Sequence, residues 1–278
     1  MKRNIAENDA ETKLMFKEGI LSFGVLVLGI VIISVLLRGS IEARSILIDS
    51  LLILIPVVVV KMKKVSFEEV FKLNKLNTRQ ITFVIIITLL SLPIASFFNT
   101  LVHAIVSIFI NVSKSNTFIA DKLSDYTLFF TIALSGAIWE ELFFRGFLLT
   151  SFQEKFKRSS ILITAILFAA IHFDISNFGG PLVFGLIFAY MVYLTNSIYA
   201  GIIGHVINNS LYVTLNYIFC ESRVVQKSVC TTFGLFSELV DRSSLVVVSG
   251  IFLFLVLKRF SEESNVTASN FKKTLKNT

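Results

Sequence analysis

The sequence predicts an all-α, polytopic integral membrane protein, a bundle of about eight transmembrane helices. Its composition points to this class, because 54% of the 278 residues are hydrophobic and only 16% are charged, whereas soluble proteins carry about 25% charged residues. The apolar residues also form long uncharged runs, the first from Gly19 to Leu37, and about 20 such residues span a bilayer. These features exclude an ordinary soluble enzyme, a disordered chain and a disulfide-rich secreted module.

Eight apolar runs are predicted to cross the membrane. They cover residues 19–37, 45–60, 81–110, 126–149, 160–173, 181–194, 198–219 and 244–257. The third run contains Pro93 and Asn99. It is therefore either one long kinked span or one span followed by a helix at the interface.

The basic residues predict the orientation. With eight spans, 18 Lys and Arg residues fall on the side of the two termini and 7 on the other side. The positive-inside rule then places both termini in the cytoplasm of a plasma-membrane protein. The net charge of +7 indicates contact with anionic lipid rather than nucleic acid. Within the basic segment 61–79, the spacing of Phe67, Val70 and Phe71 predicts a short surface helix.

The fourth run contains three ionisable residues, which are costly inside a membrane and usually functional. Glu141 and Arg145 are separated by four positions, so they share one helix face and are predicted to pair. Glu140 then points elsewhere without a local partner. A carboxylate in that position holds a proton more readily than one in water, as a general base or acid requires.

Two later runs add polar groups at a similar depth. His172 lies late in the fifth run, and His205 and Asn209 share one face of the seventh. Counted from the cytoplasmic end, Glu140, His205, Asn209 and His172 lie about 15, 13, 18 and 20 Å deep. Three helices would thus present a base, imidazoles and an amide to one cavity, which fits hydrolysis of an acyl bond by an activated water.

The three motifs Glu-Glu-x-x-x-Arg, Phe-x-x-x-His and His-x-x-x-Asn, in this order on separate spans, resemble the CAAX-processing and bacteriocin-processing (Abi) intramembrane endopeptidases. The resemblance covers about 125–215, the family's catalytic core. Residues 1–124 form the N-terminal tail and the first three membrane segments, and 216–278 form an outer loop, the last span and a cytoplasmic tail.

The resemblance also implies roles for the motif residues. Glu140 would activate the water, His172 would help to position it, and His205 and Asn209 would bind the oxyanion. Glu141 with Arg145 would form a structural pair, and Phe168 would pack against the site. The substrates would be membrane-associated peptides or protein C-termini, processed in bacteriocin self-immunity, in maturation of secreted peptides or in CAAX trimming. The oligomeric state is not indicated.

A metal is one open alternative. The family is often described as a metalloprotease, and Glu140, His172 and His205 would be the ligands if zinc is used. However, the chain has no HExxH motif, and Asn209 is a poor zinc ligand but a good oxyanion donor. We therefore favour a glutamate-dependent mechanism without a cofactor.

Other functions use the same buried polar residues differently. The protein is alternatively a transporter, or an immunity protein that binds a peptide without cleaving it. A serine mechanism is disfavoured because Ser135-Gly136 is only half of a Gly-x-Ser-Gly motif, and an aspartyl mechanism because Asp49 is the one aspartate within a predicted span.

Four residues outside the motifs carry expectations of their own. Asp49 is expected to face water or headgroups, and His103 is assigned no catalytic role. Cys220 and Cys230 fall in the same predicted outer loop, as a disulfide or as two free thiols.

Overall fold

The computed structural model describes residues 14–38, 40–110, 129–220 and 232–276. Over these residues the chain is helical, without a named β-strand. The helices are α1 (Phe16–Leu36), α2 (Ile41–Lys63), α3 (Phe67–Val70), α4 (Thr78–Phe109), α5 (Ala137–Glu141), α6 (Leu149–Phe156), α7 (Ser160–Ala170), α8 (Gly179–Thr195), α9 (Ile198–Cys220) and α10 (Thr232–Lys276). The all-α prediction is therefore confirmed.

Residues 129–156 form one continuous helical run, which we call the π-rich helix. Two π-helical segments, Phe129–Gly136 and Leu142–Leu148, flank α5, and α6 completes the run. Such segments often occur at functional sites. The second π segment is almost entirely buried, so this helix lies at the centre of the bundle.

Four helices are long and apolar enough to cross a membrane. Within the described residues they are Phe16–Leu36, Ala43–Lys63, Thr78–Phe109 and Ser237–Ser264. The predicted count of about eight spans is therefore not confirmed. The runs predicted at 160–173 and 181–194 form helices of 11 and 17 residues, shorter than the roughly 20 residues of a typical span.

The third apolar run is one helix. α4 continues through Pro93 for 32 residues, which corresponds to about 48 Å. Of the two alternatives, the long single helix is the one the structure forms. α4 packs against α8 and α10, and Asn99 on α4 accepts a hydrogen bond from the amide of Gly180 at 3.1 Å, at the start of α8.

The expectation of a surface helix near Phe67 needs a correction. α3 forms, but Val70 and Phe71 are only 1% and 4% exposed. The physical reason is the glycine at position 146 on the π-rich helix, where an added Cβ would lie 2.7 Å from Phe71 Cδ1. The apolar side of the segment is therefore packed against the protein core instead of lipid.

Several contacts gather three connecting segments at one end of the bundle. The Ile198 amide donates to the Lys72 carbonyl at 2.9 Å, and Asn74 donates to the Asn196 carbonyl at 2.7 Å. The ammonium of Lys72 also bonds Thr150. Segment 61–79, the end of the π-rich helix and the α8–α9 turn therefore share one face, as expected for segments that are all predicted on the cytoplasmic side.

Candidate active site

The site is built around a buried ion pair on the π-rich helix. Glu141 and Arg145 are 0% and 1% exposed, and Arg145 Nη1 lies 2.6 Å from Glu141 Oε1. The structure thus forms the pair that the i,i+4 spacing predicts. The guanidinium carbon also lies 4.1 Å from the centre of the Phe168 ring, at cation–π distance. Removal of either charge would leave the other buried without its ion-pair partner, which is strongly unfavourable.

His205 on α9 lies between the two adjacent glutamates. Its Nδ1 is 2.9 Å from Glu141 Oε1, and its Nε2 is 3.8 Å from Glu140 Oε2. Glu140 therefore has an imidazole beside it, whereas the sequence suggested no local partner. The side chain of Glu140 is 27% exposed while that of Glu141 is fully buried. Of the two carboxylates, Glu140 is the one that reaches the surface of the protein.

His172 follows the end of α7 and is exposed. Its Nδ1 lies 2.9 Å from the Phe168 carbonyl oxygen. Because a carbonyl only accepts, Nδ1 carries the hydrogen and Nε2 is left for another partner. The Phe168 ring stands edge-on to His172 and to His205, with centroids 5.2 and 5.8 Å apart. Phe168 thus contacts both histidines and Arg145.

Asn209 lies one helical turn beyond His205 on α9. It is half-buried, and its Oδ1 accepts a hydrogen bond from Asn208 at 3.0 Å. The structure therefore brings Glu140, Glu141, Arg145, Phe168, His172 and His205 together through direct contacts, and it places Asn209 on the same helix as His205.

The three residues named as zinc ligands do not form a metal centre in this structure. Within the described residues, no group of three or more His, Cys, Asp or Glu side chains is positioned to hold a metal ion. Glu140 and His205 are neighbours, and Nδ1 of His205 and of His172 is engaged by Glu141 and by a backbone carbonyl, which is also how metal-ligating histidines are commonly held. The mechanism without a metal stays a prediction, and no step below uses a metal.

Asp49 is a residue whose surroundings the sequence did not predict. It was expected to face water or headgroups, but it is half-buried on α2 and accepts a hydrogen bond from Ser135 Oγ at 2.7 Å. It also interacts electrostatically with Glu140. The correction arises because the first π segment lies against α2, which a pattern within one run does not reveal.

Two more contacts were missed. The Phe188 ring on α8 lies 5.4 Å from the His205 ring, and Gly201 on α9 lies against the Glu141 carboxylate. Gly201 precedes His205 by four positions, so this spacing is the one signal that could have pointed to it. His103 is buried on α4. Cys230 lies outside the described residues, so the choice between a disulfide with Cys220 and two free thiols stays open.

Comparison with known families gives one match. The family model described as Type II CAAX prenyl endopeptidase Rce1-like matches residues 122–211, about a third of the chain. All three motifs lie within the matched segment, so the predicted family resemblance is confirmed there. The match supports a protease of the CAAX type, embedded in a membrane and acting on a peptide or protein. No curated protein and no solved structure matches the chain significantly.

Proposed function

We propose that this chain, whose residues 122–211 are Rce1-like, is an intramembrane endopeptidase in which Glu140 activates the attacking water. The observation that carries the assignment is the contrast between the two adjacent glutamates. Glu141 is buried and bonded to Arg145 and His205, whereas Glu140 is 27% exposed. A general base must reach both water and substrate, and Glu140 meets that requirement.

In the proposed reaction Glu140 first accepts a proton and later donates it. Glu140 removes a proton from water while the water oxygen attacks the scissile carbonyl carbon. The carbonyl oxygen becomes an oxyanion, which the Asn209 amide and a protonated His205 Nε2 would stabilise. Glu140 then gives its proton to the departing amine as the C–N bond breaks. The products are a new carboxyl end and a new amine end.

His172 would orient the water. Its Nδ1 hydrogen is held by the Phe168 carbonyl, so its Nε2 is the ring atom available to accept a hydrogen bond. Phe168 restrains the rings of both histidines. The catalytic groups would therefore be held by packed side chains, and such preorganisation contributes much of an enzyme's rate enhancement.

An apolar cavity suggests where part of the substrate lies. It has a volume of about 220 Å³ and is lined by apolar side chains of α2, the α3 region and Leu142, the residue after Glu141. We propose that it accepts an apolar portion of a membrane-associated peptide or protein C-terminus. The protein would lie in the plasma membrane with segment 61–79 and both termini in the cytoplasm. Bacteriocin self-immunity or peptide processing is the proposed setting.

The test is Glu140→Gln, which keeps the shape of the side chain and removes the base. Glu154→Gln is the matched control, because Glu154 is exposed near the end of the same helical run. Both variants are assayed in lipid nanodiscs with a fluorescent library of apolar and CAAX-type peptides. We expect a loss of about 100-fold or more for Glu140→Gln and wild-type rates for the control. Equal cleavage by all three proteins would refute the assignment and favour another role.

A further inference from the structure

A single oxygen of Glu141 accepts two hydrogen bonds. Oε1 lies 2.6 Å from Arg145 Nη1 and 2.9 Å from His205 Nδ1. Its companion Oε2 is buried, with no hydrogen-bond partner in the structure. A carboxylate paired with a buried guanidinium is ionised, and an ionised carboxylate only accepts hydrogen bonds. The hydrogen between Glu141 and His205 must therefore reside on Nδ1 of the histidine.

The close approach of Glu141 to α9 depends on the absence of a side chain at one position. A Cβ added to Gly201 would lie 2.3 Å from Glu141 Oε2 and 3.1 Å from its carboxyl carbon. Real Cβ contacts are essentially never shorter than 3.0 Å, so any larger residue would displace the carboxylate. Gly201 is one turn before His205, which means that the same stretch of α9 both admits the carboxylate and presents the ring.

We propose that Glu141 is a positioning residue that fixes the tautomer and orientation of His205, and that Gly201 is the position that admits its carboxylate. The proposal rests on the proposed function, since it specifies how His205 meets the reacting groups. With Nδ1 bonded to Glu141, Nε2 is turned toward Glu140, 3.8 Å away. A neutral ring then offers a lone pair there, and a protonated ring offers an N–H.

Neighbouring rings complete the restraint. Phe168 and Phe188 lie 5.8 and 5.4 Å from the His205 ring, measured between centroids. They limit tilting of the ring, but apolar rings do not select a tautomer. That selection comes from the Glu141 carboxylate. In serine proteases the analogous carboxylate fixes the tautomer of the catalytic histidine, and its replacement by an amide costs about 10⁴ in kcat.

The first test compares two glycine variants in the full-length protein in nanodiscs. Gly201→Ala presses a methyl group against Glu141, whereas the control Gly29→Ala presses one against Leu51, 2.5 Å from its Cδ1, between α1 and α2, and neither Gly29 nor Leu51 contacts Glu141 or His205 in the contacts described above. We expect Gly201→Ala to lower kcat at least 100-fold with little change in KM, and Gly29→Ala to stay within threefold. Equal kcat values for the two variants would overturn the proposal.

The second test reads the tautomer directly. The chain has only three histidines, so ¹⁵N-histidine labelling gives a simple spectrum, and His205→Gln assigns the signal. We expect a protonated Nδ1 in the wild type, and a mixed or reversed tautomer in Gly201→Ala. A wild-type His205 with a bare Nδ1, or a Gly201→Ala variant that loses activity with an unchanged spectrum, would overturn the proposal.

The two tests separate this proposal from the proposed function. The tautomer of His205 is read without any activity measurement, so a bare Nδ1 refutes the positioning role even if Glu140 is the base. Conversely, an active Glu140→Gln variant refutes the catalytic assignment while a protonated Nδ1 leaves the Glu141–His205 contact intact.

Discussion

Replacement of Arg145 by methionine tests the buried ion pair at the centre of the bundle. Arg145→Met keeps an unbranched apolar chain but leaves Glu141 as a buried charge whose remaining partner is His205. Breaking a buried pair from one side costs about 3–5 kcal/mol. Loss of the contact with the Phe168 ring, 4.1 Å from the guanidinium, adds about 1 kcal/mol or more.

The double variant measures the coupling energy between Glu141 and Arg145. Glu141→Gln alone strands the buried Arg145 charge, so we expect a cost of similar size. Glu141→Gln combined with Arg145→Met removes both charges, and the amide oxygen of Gln can still accept from His205 Nδ1. We therefore expect the sum of the two single-variant losses in free energy of unfolding to exceed the loss in the double variant by about 2–3 kcal/mol, within the range of coupled contacts.

The assay is reversible unfolding of the four proteins in the same mixed micelles, followed by circular dichroism. Glu238→Gln with Arg242→Met provides a control cycle, because that i,i+4 pair on α10 is 36–44% exposed and exposed helix pairs couple by about 0.3–0.5 kcal/mol. A coupling energy for Glu141 and Arg145 no larger than that of the control would refute the buried-pair account.

Two further predictions concern the connecting segments. Burial lowers the pKa of Lys72 from 10.5 to about 8. Between these values the unfolded chain binds more protons than the folded one, so the free energy of unfolding rises with pH. We therefore expect the free energy of unfolding of the wild type to rise, relative to that of Lys72→Met, from about pH 8 to 10.5, and parallel pH profiles of the two proteins would contradict this. Asn99→Ala removes the acceptor for the Gly180 amide and the bond to Asn177, which should cost about 1 kcal/mol in the same micelles. Ser107→Ala on the same helix removes a hydroxyl that donates to the His103 carbonyl within α4, so its cost should be close to zero. Equal costs for the two variants would refute a stabilising role for the contact between Asn99 and the start of α8.

Local spacing was enough to predict part of the site. Glu141 and Arg145 pair because residues four apart share a helix face, and this holds even within a run that contains π segments. The helices α8 and α9 begin and end within about two residues of the predicted runs. These features depend on neighbours in the sequence, which a pattern can reveal.

Contacts between distant segments were not predictable in the same way. The sequence pattern predicted no partner for Glu140 and an Asp49 that faces water or headgroups, because it compares residues only within one apolar run. In the structure α9 brings His205 between the two glutamates, and the first π segment brings Ser135 to Asp49. The predicted number of spans is not confirmed for a related reason. An apolar run is buried equally well in lipid and in protein, so apolarity alone does not show that a helix crosses the membrane. The helices α7 and α8 are apolar but only 11 and 17 residues long.

The most direct measurement of the central claim is a single turnover in ¹⁸O-labelled water. An excess of wild-type protein in nanodiscs is mixed with a cleavable peptide, and the masses of the products and of the intact enzyme are measured by mass spectrometry. If Glu140 activates water, one ¹⁸O atom enters the new carboxyl end, the enzyme carries no covalent peptide at any time, and Glu140→Gln abolishes labelling. A covalent peptide–enzyme adduct, or undiminished ¹⁸O incorporation by Glu140→Gln, would contradict the account.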